Sequence, residues 1–140
     1  MQLRKTIILF GLSSLIACSS VNRYRETSFI RNVTYYTTVG SVMIEWESGE
    51  KRSGGWRTEP IKHGIRKQLL YSGSSQNVIY LTYREYATSE EGAYARAPFY
   101  QDLTYDISNS NEIAFQDIKI TVESADQKGI RFKVTEGPSF

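Results

Sequence analysis

From Phe29 onward, apolar and polar side chains alternate along the chain, and a period of two commits it to half-buried β-strands. In "SVMIEWE", Val42, Ile44 and Trp46 fall on one face and Glu45 and Glu47 on the other. In "NVIYLTYREY", Ile79, Leu81 and Tyr83 share one face, and Val78, Tyr80, Thr82 and Arg84 share the other. Apolar atoms on both faces predict a strand with neighbours on either side. "FYQDLTYDI" turns Phe99, Leu103, Tyr105 and Ile107 inward, with Asp102, Thr104 and Asp106 outward. "IAFQDIKITVESA" breaks near Gln116-Asp117, after which Ile118, Ile120 and Val122 alternate, followed by Ile130, Phe132 and Val134 in "IRFKVTE". "FIRNVTYYTTV", Phe29 to Val39, is rich in β-branched and aromatic residues, and the ten tyrosines of the chain suit a pleated surface.

The punctuation between these runs is short. "SGEK", "GSSQN" and "SNSNE" have turn composition, the glycine pair of "RSGGW" interrupts regular structure, and "ATSEEGAYARAP" reads as a longer loop. "DQKG", with Gly129 last, suits a hairpin loop with a residue at positive φ. Glu59 to Leu70 is broken by Pro60 and Gly64, which leaves no amphipathic helix. About seven or eight strands with mostly short connections predict an all-β domain, either an antiparallel β-sandwich or a small β-barrel. With 140 residues, 40% of them hydrophobic, the chain suffices for one such domain with a real core.

The first residues follow a different rule. "MQLRK" is positive and "TIILFGLSSLIA", Thr6 to Ala17, carries no charge. The apolar run has the length of a secretory h-region, well short of the roughly 20 residues a spanning helix needs. It ends at Cys18, the only cysteine. Leu15-Ile16-Ala17-Cys18 resembles the bacterial lipobox: a leucine, a variable residue, a small residue, then cysteine. The resemblance implies that the Cys18 thiol receives diacylglycerol, that residues 1–17 are removed as a signal peptide, and that the new amino terminus is acylated, with palmitate as a typical chain. Each buried methylene contributes about 0.8 kcal/mol, so several chains give durable attachment where one is marginal. The alternative is a buried free cysteine behind an ordinary signal peptide, although a lone thiol is a liability in an oxidising compartment. Ser19 follows Cys18 where an aspartate does not. By the same resemblance this implies the outer membrane in a Gram-negative cell, or the outer face of the cell membrane in a Gram-positive one. Residues 18–28 lack apolar periodicity, so the acylated cysteine is expected to begin a polar tether, with the β domain over 29–140.

The formal net charge of +2 comes from Arg4 and Lys5; without residues 1–17 the basic and acidic side chains balance. A neutral body gives no electrostatic case for nucleic acid. Charge is nevertheless uneven. Lys51, Arg52, Arg57, Lys62, Arg66 and Lys67 stand against Glu59 alone, whereas Glu85 to Asp126 is strongly acidic. A basic edge and an acidic edge suit docking to a charged partner, such as lipid headgroups or another envelope protein; equally, loop charge is ordinary solvation.

The second half also resembles a loose group of small, β-rich bacterial lipoproteins with no assigned activity. The pieces are "LLYSG" (Leu69 to Gly73), "YREY" (Tyr83 to Tyr86), "PFYQDLTYD" (Pro98 to Asp106) and "IKITVESADQKGIRFKV" (Ile118 to Val134). The resemblance implies a β fold and a lipoprotein, and carries no reaction with it.

Catalytic signatures are sparse. His63 is the only histidine, and no Gly-x-Ser-x-Gly elbow accompanies the serines. One histidine and one acylated cysteine fall short of a zinc set, and "DISNSNE" lacks the glycine and spacing of an EF-hand loop. Glu45/Glu47 and Glu90/Glu91 are carboxylate pairs; the first is expected on a solvated strand face and the second in a loop. No catalytic residue, metal or cofactor is therefore assigned. Trp56, Arg57, His63 and Arg84 are the candidate binding residues. Arg84 shares a face with Val78 and Tyr80, where it either pairs with a buried carboxylate, snorkels, or points into a barrel mouth. The expected function is a membrane-anchored envelope lipoprotein with a non-catalytic binding or accessory-assembly role. The alternatives are a barrel carrying an apolar or amphipathic ligand, lined by tyrosines, or an inhibitor of a host hydrolase.

Overall fold

The computed structural model describes residues 20–53, 61–89 and 92–138. Cys18, Trp56, Arg57, Glu90 and Glu91 lie outside them. The described residues form nine strands and no helix: β1 Ser20–Thr27, β2 Thr34–Thr38, β3 Val42–Ser53, β4 Ile61–Ser75, β5 Val78–Ser89, β6 Gly92–Asp106, β7 Glu112–Phe115, β8 Ile118–Ala125 and β9 Gly129–Glu136. Two antiparallel sheets result, one in the order β1-β3-β4-β5-β6 and one in the order β2-β9-β8-β7. The sheets do not close on one another. Of the two all-β architectures expected, the protein adopts the sandwich.

The alternating residues meet between the sheets. Ile44, Leu69, Tyr71, Ile79, Leu81 and Tyr83 from the larger sheet face Ile113, Ile120, Ile130, Phe132 and Val134 from the smaller one, all fully buried. Each large aliphatic side chain so buried contributes about 1.5–3 kcal/mol. Tyr71 can sit in this core because its hydroxyl donates to the Asp126 carbonyl at 2.5 Å, which also ties the two sheets together. Tyr83 packs against Trp46, Phe99 and Phe115 and donates to Glu85. β5 is flanked by β4 and β6, as apolar atoms on both its faces require.

Several boundaries differ from the sequence expectation, each for a physical reason. Ser20–Thr27 is a strand, paired with β3, where a tether is expected. As an edge strand it needs few buried residues, and its polar composition is what edges carry. "SGEK" lies inside β3, and most of "ATSEEGAYARAP" lies in the β5–β6 hairpin, whose register runs to Ser89 opposite Gly92. A bulge between Val42 and Ile44 turns Val42 outward and buries Met43 instead. Phe99 keeps its inward parity but is 48% exposed, because β6 is an edge strand. The break near Gln116-Asp117 is the two-residue turn of the β7–β8 hairpin, with Gln116 at φ 51°. In the β8–β9 loop it is Asp126 that makes the turn, accepting from the amides of Lys128 and Gly129. No residue of this loop has the expected positive φ; a Cβ on Gly129 would stand 2.5 Å from the Tyr36 hydroxyl, so close approach selects glycine there.

Candidate functional site

The face of the larger sheet turned away from the core carries a polar network that its glycines make possible. Register places Tyr24 of β1 opposite Gly49 of β3, Gly49 opposite Gly64 of β4, and Gly64 opposite Thr88 of β5. A Cβ on Gly49 would lie 2.1 Å from the His63 carbonyl oxygen, and one on Gly64 would lie 2.4 Å from the Tyr24 hydroxyl. The bare backbone lets the Tyr24 side chain lie across two strands. Lys51 Nζ stands 4.8 Å from the centroid of its ring.

Under this cover sits Glu47, 6% exposed. Tyr24 Oη donates to its Oε1 at 2.6 Å, Thr88 Oγ1 donates to the same oxygen at 3.1 Å, and Arg66 Nε donates to Oε2 at 3.0 Å. Burial pushes the Glu47 carboxyl up, but the three donors and the Arg66 charge outweigh it and hold the group below its ordinary value. Burial and the hydrogen bond to an anion push the Tyr24 phenol up to about 12. Glu45, the next residue along this face, accepts from Gln68 Nε2 at 2.5 Å and stands 3.6 Å from Arg66 Nε. The expected solvated carboxylate pair is therefore half wrong: Glu47 is a buried clamp joining β1, β3, β4 and β5, and Glu45 is half-buried beside it. An ionised carboxylate whose oxygens both accept from fixed donors suits holding strands together rather than relaying protons.

Next to the clamp the face changes character. The adjoining row runs Glu45, Gln68, Arg84, Tyr100. Arg84 is half-buried, its Nε is out of solvent, and that nitrogen has no hydrogen-bond partner among the described residues. Its guanidinium carbon lies 5.3 Å from the centroid of the Tyr100 ring. Arg84 forms no ion pair among the described residues; its contact there is a cation–π one. A bulge between Arg84 and Tyr86 marks the same spot. Tyr100, 61% exposed, and Tyr80, 41% exposed, stand on this face at strand positions that β5 and β6 fix.

The other sequence candidates are not gathered with Arg84. His63 is exposed on β4, opposite Glu50, with no hydrogen bond among the described residues. It lies five residues from Gln68, the partner of Arg84, and on the opposite face by parity; that is about 17 Å along the strand. Arg66 and Lys67 leave the expected basic edge, since Arg66 serves the clamp and Lys67 Nζ donates to Gln116 at 3.1 Å, with Glu85 at 3.9 Å. Asp106 of "DISNSNE" accepts from the amide and hydroxyl of Ser108, an ordinary turn. Among the described residues no three His, Cys, Asp or Glu side chains converge on a metal position, and no helix is long and apolar enough to cross a membrane.

Sequence reasoning missed Tyr24 and Thr88 and placed Glu47 on a solvated face. The available signal was a glycine within an alternating run: Gly49 two residues after Glu47, with Gly64 in the next strand. Glycine inside a strand marks a place where something approaches the backbone closely.

A depression of about 180 Å³ lies along the β1–β3 edge, lined by Glu26, Thr27, Ser28, Glu45 and Arg66 among others. It is small and polar. The interior between the sheets is occupied by the core side chains themselves. No family model matches the chain, and neither a curated protein nor a solved structure matches it.

Proposed function

We propose that the protein is a bacterial envelope lipoprotein, anchored through an acylated Cys18, whose sandwich presents the outer face of its five-stranded sheet to another envelope protein. The observation that carries the binding role is Arg84. A half-buried guanidinium with an Nε that has no partner among the described residues, beside the exposed Tyr100 ring and with Tyr80 exposed four residues along the same strand face, has the composition of an interface anchor. The clamp at Glu47 holds that face in shape without consuming Arg84. The lipid anchor is supported by the "LIAC" motif and the charge-free run before it. The role is non-catalytic: the buried carboxylate is occupied by structural donors, and His63 stands apart from it. A core filled by its own side chains gives little support to carriage of an apolar ligand, which needs a cavity of several hundred Å³. Ser19 after Cys18 favours the outer membrane in a Gram-negative cell.

The test uses a photo-crosslinking amino acid at Tyr100 in the full-length chain, expressed in its bacterial host. The expected result is one discrete crosslinked band at a fixed mass, lost in Arg84→Ala while the acylated protein accumulates normally. Absence of any discrete adduct at Tyr100 and Tyr80 overturns the binding face. Failure of labelled palmitate to enter the wild-type protein, or its persistence in Cys18→Ser, overturns the anchor.

A further inference from the structure

The start of β1 constrains how the anchored protein meets its membrane. Only Ser19 separates Cys18 from Ser20, the first residue of the sheet, so Cys18 lies within about 7 Å of it. The end of the five-stranded sheet where β1 begins is therefore the membrane-proximal end, provided Cys18 is acylated as proposed above. Antiparallel pairing brings the end of β3 and the start of β4 to the same place. Val21 stands opposite Arg52, which stands opposite Ile61; Asn22 opposite Lys51, opposite Lys62; Arg23 opposite Glu50, opposite His63. The described β5–β6 pairing stops one row beyond Thr88, at Ser89 opposite Gly92, whereas the described β3–β4 pairing runs on to Arg52 opposite Ile61.

These first rows are basic. By register Arg23, Lys51, Arg52 and Lys62 stand there against Glu50, and Glu26 of β1 reaches Lys51 Nζ at 3.4 Å, in a body that is neutral overall. Arg52 is 63% exposed at its side chain, and its carboxylate neighbour among the described residues, Glu50, is at a loose 3.7 Å. Val21, 51% exposed, adds an apolar side chain beside them. At about 3.4 Å per residue the three rows lie within about 10 Å of Ser20 along the strand. That is comparable to the Debye length of about 8 Å at physiological salt, before the reach of the long side chains is added.

We infer that this end of the sheet is a lipid-docking surface: Arg23, Lys51 and Arg52 engage the phosphates of anionic phospholipid headgroups. Attachment at Cys18 alone would leave the domain free to tilt. Anchor and basic rows together stand the strands upright on the bilayer, which turns the Arg84–Tyr100 face sideways, where a neighbouring membrane protein can reach it. Each basic side chain near an anionic surface contributes about a fivefold preference, so several acting together favour the upright state strongly.

The test uses the acylated protein purified from its host and reconstituted into vesicles of pure phosphatidylcholine or of phosphatidylcholine with about 30% phosphatidylglycerol. A water-soluble amine-acetylating reagent labels exposed lysines, and mass spectrometry compares Lys51 with Lys128. Lys67, held by Glu85 and Gln116, reports that the fold is intact. The expected result is a fall of about tenfold in the Lys51/Lys128 labelling ratio on the anionic vesicles. High salt and the variant Arg23→Glu/Arg52→Glu restore the ratio while Lys67 stays protected. An equal ratio on both vesicles overturns the docking surface, even if the protein floats with neutral vesicles and the anchor stands. Failure to float with pure phosphatidylcholine overturns the anchor and this inference with it.

Discussion

Replacing Glu47 by glutamine probes the clamp with almost no change of shape. The carboxylate accepts three hydrogen bonds, from Tyr24, Thr88 and Arg66. Bonds to a charged acceptor contribute about 1.5–3 kcal/mol each, against about 1 kcal/mol for neutral pairs. In Glu47→Gln the amide oxygen can keep Tyr24 and Thr88 as neutral bonds. The amide nitrogen then confronts Arg66 Nε, donor against donor, and that bond is lost. Glu45, 3.6 Å from Arg66 Nε, recovers part of the loss. The expected destabilisation at pH 7 is about 2–4 kcal/mol. Urea unfolding at a slope of about 1–3 kcal/mol per molar would then show a midpoint lower by about 1–2 M. The pH dependence gives a second check. The folded Glu47 carboxyl lies below its ordinary value of 4.5, so its stabilising contribution is complete above that pH and disappears as pH falls through the folded value. The gap between wild type and Glu47→Gln should therefore be widest at neutral pH and close in strong acid. A loss under about 0.5 kcal/mol at pH 7, or a gap that does not vary with pH, would refute a charged clamp.

Three further outcomes are expected. Gly64→Ala should cost about 2–4 kcal/mol in urea unfolding, because its Cβ meets both the Tyr24 hydroxyl at 2.4 Å and the Ser48 carbonyl oxygen at 2.8 Å; adding Tyr24→Ala relieves only the first clash. Tyr24→Phe should cost about 1–2 kcal/mol at neutral pH. Because burial and Glu47 raise the folded phenol from 10.0 to about 12, that contribution is intact below pH 10 and is lost as pH climbs toward 12, so the two proteins should converge in alkali. Arg84→Met keeps the aliphatic stem and removes a buried nitrogen that has no partner among the described residues, so its unfolding free energy in urea should match wild type to within about 1 kcal/mol, while a partner captured through Tyr100 is lost.

Parity made the core legible from the sequence. Ile44, Trp46, Ile79, Leu81, Tyr83, Ile118, Ile120, Val122, Ile130, Phe132 and Val134 all fall where alternation puts them, because one buried face is a local property of each strand. Three features were not local. β1 carries a single half-buried clamp residue, Tyr24, and two half-buried positions in all, so its polar sequence reads as a tether until β3 is there to pair with it. Glu47 looks like a solvated residue because its burial depends on Tyr24, 23 positions earlier, and on Thr88, 41 positions later. Sandwich and barrel share one alternating pattern; what separates them here is that β2 crosses to pair with β9, a contact spanning almost the whole domain. Arg84 was the one candidate whose position on the face was readable, since it follows Val78, Tyr80 and Thr82 in step. Its partner was not, because Tyr100 reaches it only across the β5–β6 register.

Intact-mass analysis of the protein extracted from host membranes tests the account most directly. The expected species begins at Cys18 and carries diacylglycerol on sulfur, with residues 1–17 gone. A chain retaining those residues, or one with an unmodified sulfhydryl at position 18, would contradict it.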